Sequence, residues 1–276
     1  MPADLLSFNR PAPVGLIGHT RSAVLEMVSR ALGLRALRTI YEQSQTGTAA
    51  SIDERILAAL CIRPVCDRHG LNRIPATGPL LVAANHPHGA LDGLALSSLV
   101  RNVRPDVRIL ANRLLAPVPE LAGLCFFADP FGGSAAARRS VAGLRAAARW
   151  LAGGGALIVF PSGEVAHQLV NGRRSDSAWR DTAARLAIAT GATVVPAFVA
   201  GGNRSVFYAA GRLHPRLRTA LLARELLAKR GATITIDIGM AHTATELAAD
   251  GDGAAVTRRM RNAVEGLGEM RRKGYR

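Results

Sequence analysis

Two hydrophobic rhythms alternate along the chain. Leu80–Ala84, Val107–Ala111, Cys125–Ala128, Ala156–Phe160, Thr193–Val199 and Thr233–Ile238 are short, nearly unbroken apolar runs of the kind that fill buried strands. Asp92–Val100, Ala135–Leu151, Ser177–Thr190 and Arg216–Arg230 carry apolar residues at helical spacing, with Gly153–Gly155 and Gly191 where helices stop. This alternation predicts an α/β fold with a mixed, largely parallel central sheet flanked by helices. Upstream, Pro2, Pro11 and Pro13 mark a loose arm. From about Thr20, the positions Val24, Met27, Val28, Ala31, Leu32 and Leu34 form an apolar stripe beside Arg21, Arg30, Arg35 and Arg38, which predicts a basic amphipathic helix. Ser51 with Glu54 reads as a capping box that starts a second short helix leading into Ile56–Ile62. Residues 1–65 are therefore read as a helical N-terminal extension that associates with membrane, and residues 66–276 as the α/β domain. Ala254–Lys273 reads as an arginine-rich closing helix suited to anionic headgroups.

Charge narrows the partners. The 276 residues carry a formal net charge of +15, so the surface attracts an anion, either nucleic acid or an acidic membrane leaflet. Only Lys229 and Lys273 among the 35 basic residues are lysines. That bias fits planar recognition of phosphate or carboxylate, and fits a GC-rich genome equally. Aromatics make up only 4% of the chain, and neither an RNP-like run nor zinc-finger spacing occurs, so nucleic acid is the weaker partner and an anionic membrane surface the stronger. Cys61, Cys66 and Cys125 form no metal set, and their odd number argues for a reducing compartment. With no signal-peptide pattern and no apolar run of about 18 residues, the expectation is a peripheral protein on the cytoplasmic face of a membrane.

The chemistry concentrates in Ala83-Ala84-Asn85-His86-Pro87-His88-Gly89-Ala90-Leu91-Asp92-Gly93, between a predicted strand and a predicted helix. Open α/β folds place their sites at the carboxyl ends of such strands. A histidine there can take a proton from a hydroxyl that attacks an acyl carbonyl, and a carboxylate behind it fixes the tautomer. His86 and Asp92 supply both parts, with His88 the competing base. A serine-hydrolase elbow, a P-loop and Gly-x-Gly-x-x-Gly are all missing, so no nucleotide chemistry is expected, nor any metal or cofactor.

Asn85-His86-Pro87 with Asp92 resembles the first block of the glycerolipid acyltransferase family, which includes lysophosphatidic acid acyltransferases. The family motif is His-x₄-Asp, whereas five residues separate His86 from Asp92 here. Asn-His-Pro-x-Gly-x-x-Asp-Gly is similar to the hemolysin-like subgroup, associated with lysophospholipids or with lyso-amino-acid lipids such as lyso-ornithine lipid. Phe126-Phe127-Ala128-Asp129-Pro130 stands at the second block, where many relatives carry a phosphate-binding arginine. Here the nearest arginines are Arg138 and Arg139. Phe160-Pro161-Ser162-Gly163-Glu164 resembles the third block, and Val195-Pro196-Ala197-Phe198 the fourth.

The resemblance implies acyl transfer from an acyl carrier protein or coenzyme A thioester to the hydroxyl of a lysolipid. It implies His86 and Asp92 as catalytic residues. Asn85, Gly89, Asp129, Ser162, Gly163, Glu164, Arg138 and Arg139 become substrate-binding candidates, and backbone N–H groups near Gly89 or Gly163 would face the oxyanion. Arg173-Arg174 reads as a polar basic loop, and Ser175, Asp176 and Ser177 as caps for the next helix. The alternative reading is a non-catalytic protein whose basic helices bind membrane or nucleic acid.

Overall fold

The computed structural model describes residue 30 and residues 32–46, 51–128, 134–170, 172–249 and 251–274. Seven strands form the main sheet: β1 (Arg63–Val65), β2 (Leu80–Ala84), β3 (Arg108–Asn112), β4 (Cys125–Ala128), β5 (Ala156–Val159), β8 (Thr193–Val199) and β9 (Thr233–Ile238). Their order is β1-β9-β8-β2-β5-β3-β4. The run from β8 to β4 is parallel throughout; β9 pairs antiparallel with β8, and β1 runs parallel to β9. The sheet is therefore mixed and largely parallel. A second, two-stranded hairpin, β6 (Gln168–Val170) with β7 (Arg173–Ser175), stands off the carboxyl end of β5. Arg173 and Arg174, read from sequence as loop, are paired strand residues.

All five residues of β2 are buried. Strand alternation then sends Leu80, Val82 and Ala84 into one apolar layer and Leu81 and Ala83 into the other. The first layer is covered by α1 (Leu34–Gln45), α2 (Ile52–Ala59) and α4 (Ala90–Arg101). The second is covered by α5 (Ser134–Ala152), α6 (Thr182–Thr190), α9 (Ala244–Ala248) and α10 (Gly253–Arg272). A single turn, α3 (Arg68–Leu71), follows β1, while α7 (Ser205–Leu213) and α8 (Pro215–Leu227) form a helical hairpin between β8 and β9. Most strands and long helices fall within a few residues of their sequence-based bounds.

The N-terminal helices differ in detail. The stripe expected from Thr20 to Leu34 lies mostly outside the described residues, and Gly33 (φ 77°) stands at the N-cap of α1. That left-handed φ is what favours glycine here, and a Cβ would also come within 2.8 Å of the Leu227 Cδ1 methyl of α8. Ser51 sits at the N-cap of α2, but its hydroxyl makes no capping bond and is buried without a partner. Ile40, Ile52, Leu57, Leu60 and Ile62 share one core cluster with β2.

Candidate active site

β2 ends at Ala84 in the middle of the sheet, and α4 starts at Ala90. Residues 85–89 thus form a five-residue turn at the carboxyl end of the central parallel strand. Asp92, one turn into α4, has no exposed surface. Its Oδ2 accepts the backbone N–H of His88 (2.8 Å) and of Gly89 (2.9 Å), and lies 2.9 Å from His86 Nδ1, off the axis of an ideal hydrogen bond. The extra residue relative to His-x₄-Asp is absorbed at Gly89, whose φ of 90° and ψ of −136° are open only to glycine. A Cβ there would also press on Leu222 and Val165 at 3.1 and 3.3 Å.

With Nδ1 facing Asp92, the Nε2 corner of His86 points away from the carboxylate, and the side chain keeps 17% exposure. The ring stacks on Phe160 with centroids 4.2 Å apart. His88 is placed differently. It is buried, and its Nε2 donates to the Ala200 carbonyl at 2.9 Å. Gly201 (φ 105°) covers it so closely that a Cβ would approach its ring to 2.8 Å. Asn85 is spent on the backbone of Val199, donating to its carbonyl (2.9 Å) and accepting its N–H (2.7 Å), which pins the turn to β8.

The third block faces this turn. The Ser162 hydroxyl donates to the Glu164 carbonyl at 2.8 Å, and Gly163 (φ 70°) donates its N–H to Phe160. The Gly89 N–H is held by Asp92 and the Gly163 N–H by Phe160, so an oxyanion beside either glycine would draw on the neighbouring amides instead. The cause is local: a buried carboxylate and a tight turn each consume the nearest amides. The Glu164 carboxylate accepts from Arg218 Nη2 (2.9 Å) on α8 and from the Ser177 hydroxyl (2.6 Å). Asp129 lies outside the described residues. Arg138 and Arg139 fall on the backbone of α5, and their side chains lie outside what is described.

Two partners of the site escaped the sequence reading. Asp176, expected as a helix cap, instead accepts the His86 N–H (3.1 Å) and Trp179 Nε1 (2.9 Å); the cap position of α6 belongs to Asp181. Burial pushes the Asp176 carboxyl above its ordinary range, opposed by those donors. Arg218 reaches Glu164 across 54 positions of sequence. Contacts across such separations leave no periodic trace, so no local signal marked either residue. The loop carrying Ala200 and Gly201 is itself braced from α8, where buried Glu225 accepts from Arg204, and from the turn just past that helix, where Lys229 Nζ donates to Asn203.

A family profile described as "Acyltransferase" matches residues 31–266. The lyso-glycine lipid O-acyltransferase of Phocaeicola vulgatus is 30% identical over 177 residues, 62% of this chain and 61% of the relative. The enzyme of the same name from Bacteroides thetaiotaomicron is 28% identical over 179 residues, 62% of this chain and 63% of that one. The matches thus span somewhat under two thirds of either curated relative. Among solved structures, the 1-acyl-sn-glycerophosphate (LPA) acyltransferase PlsC of Thermotoga maritima superposes with a TM-score of 0.50 at 17% identity. That superposition covers 92% of this chain and 97% of PlsC, a likeness of fold. On the extent of the profile match, this chain belongs to the acyltransferase family.

Proposed function

We propose that the protein transfers a fatty acyl chain from an acyl carrier protein or coenzyme A thioester to the hydroxyl of a lysolipid, with His86 as general base. The observation that carries this reading is the His86–Asp92 approach at the end of β2, with Nε2 turned away from the carboxylate. Nε2 takes the acceptor's hydroxyl proton as the oxygen attacks the thioester carbonyl. The tetrahedral adduct then collapses, the C–S bond breaks, and the imidazolium returns the proton to the leaving thiolate. Buried Asp92 holds the ring by Nδ1 and stabilises the imidazolium, a contact of the kind that tightens when substrate binds. His88 is the weaker candidate because a backbone carbonyl already occupies its Nε2. No metal or nucleotide enters this scheme. The names of the two curated relatives favour a lyso-amino-acid lipid as acceptor. Its net charge of +15 would hold the protein on an anionic cytoplasmic leaflet; among the described residues, no helix is long and apolar enough to cross a membrane.

The test is transfer from a labelled thioester into lysolipid, with products resolved by mass. Folded His86→Ala should lose about 10²–10⁴-fold in rate. Asp92→Asn should lose more than about tenfold. Wild-type rates in His86→Ala would remove the base assignment.

A further inference from the structure

Helix α7 is apolar on two opposite faces. Phe207 and Tyr208 are buried against Val165 and α8, yet Val206 is 56% and Leu213 is 81% exposed, seven residues apart and so on one stripe. The hairpin turns at His214, and Leu217 on the first turn of α8 is exposed beside them. On β6, Leu169 and Val170 are exposed as well. A folded surface rarely leaves so many large aliphatics uncovered in neighbouring elements without a partner.

Both elements belong to the rim of the site. Arg218 of α8 holds Glu164, Leu222 packs over Gly89, and Asp176, just after β7, holds the His86 amide. Arg174 of β7 lies 3.9 Å over the ring of Tyr208, joining the strand hairpin to the helical one. The charge is of one sign. Residues 205–224 contain four arginines and no acid, and Arg173, Arg212 and Arg216 are exposed.

From this juxtaposition we propose that the β6–β7 and α7–α8 hairpins together form the surface by which the protein docks on an anionic phospholipid bilayer, with the aliphatic side chains entering the interface and the arginines meeting the headgroups. The choice of a lipid partner rests on the lysolipid reading. Charge complementarity selects the bilayer over a second copy, since two such surfaces would set arginine against arginine. The placement opens the site toward the phase that holds an amphiphilic acceptor, so that a lysolipid passes from bilayer to His86 without crossing water.

Co-sedimentation with vesicles of phosphatidylcholine and phosphatidylglycerol, against phosphatidylcholine alone, tests the surface. Leu213→Glu/Leu217→Glu and Leu169→Glu/Val170→Glu should each weaken partitioning into the anionic vesicles by about tenfold or more. Met240→Glu, an exposed substitution after β9 and outside both hairpins, should leave it within about twofold. Serine pairs replace the glutamate pairs if circular dichroism shows a loss of fold. Wild-type protein that ignores anionic vesicles, pairs that bind like wild type, a Met240→Glu loss as large as theirs, or pairs that only dissociate an oligomer would each overturn the proposal. Transfer to a short-chain lysolipid dispersed as monomers is read separately. If it is absent while the vesicle pattern holds, the acyl-transfer reading falls and the surface stands; if it persists while the pattern fails, the reverse is true.

Discussion

Cys61 lies exposed, Cys66 half-buried and Cys125 buried, and their chemistry should follow that order. Burial pushes the Cys66 thiol up to about 11 and that of Cys125 to about 12. The thiolate is the attacking form, so a raised value keeps the group protonated and slow until the pH approaches it. In mildly alkaline buffer, a disulfide reagent should label Cys61 first, and Cys125 only after denaturation; prompt labelling of Cys125 in folded protein would contradict its placement. His86 and Asp92 were legible in the sequence because residue type and a strand-to-helix position converge on them. The preference for His86 over His88 was not, because it turns on which Nε2 is already occupied by a carbonyl of the loop after β8. Asn85 shows the same limit: its type suggests a substrate contact, and its geometry is a clamp on Val199.

Elements meet at points that propensity would misjudge. Gly143 lies inside α5, where alanine should favour the helix by about 1 kcal/mol. A Cβ there, however, would be driven into the Phe127 carbonyl of β4. Gly143→Ala should therefore destabilise the protein, by about 1–3 kcal/mol in a denaturant titration, and a stabilised variant would refute the close packing. At the other end of the sheet, Arg104 is 3% exposed and donates to the carbonyls of Pro75, Gly78 and Gly154 and to Asp106. One guanidinium thereby ties the loops that lead into β2, β3 and β5. Arg104→Met should cost about 3 kcal/mol or more, through orphaned acceptors rather than lost charge alone. Its hydrogen bonds chiefly hold the Asp106 carboxyl below the ordinary range. That group contributes stability above its unfolded pKa and loses it as pH falls through the depressed folded value, so Arg104→Met should also shrink the acid limb of a stability profile.

At the scale of the molecule, the proposed docking would have the charge of +15 and the apolar rim act together on a bilayer. Raising salt from about 0.1 to 1 M shortens the screening length from about 10 to 3 Å, so wild-type protein should partly leave anionic vesicles while the aliphatic contribution remains. Complete release would make the attachment purely electrostatic. The sequence alone determined the layers: runs of consecutive apolar residues can be buried only as strands covered on both faces, and the intervals between them carry one apolar stripe each. It also placed the His-Asn-Asp turn at a strand end, because that order is local. It did not reveal that β9 reverses direction, that β1 extends the sheet, or that the 168–175 segment pairs as a hairpin, since short exposed strands lack a hydrophobic signature. Nor did it show which amides are already engaged, that Asp176 holds the turn and Arg218 the Glu164 carboxylate, or that α7 leaves one apolar face uncovered. Those are outcomes of packing between segments far apart in the chain, where geometry decides which donor reaches which acceptor and which face finds a neighbour.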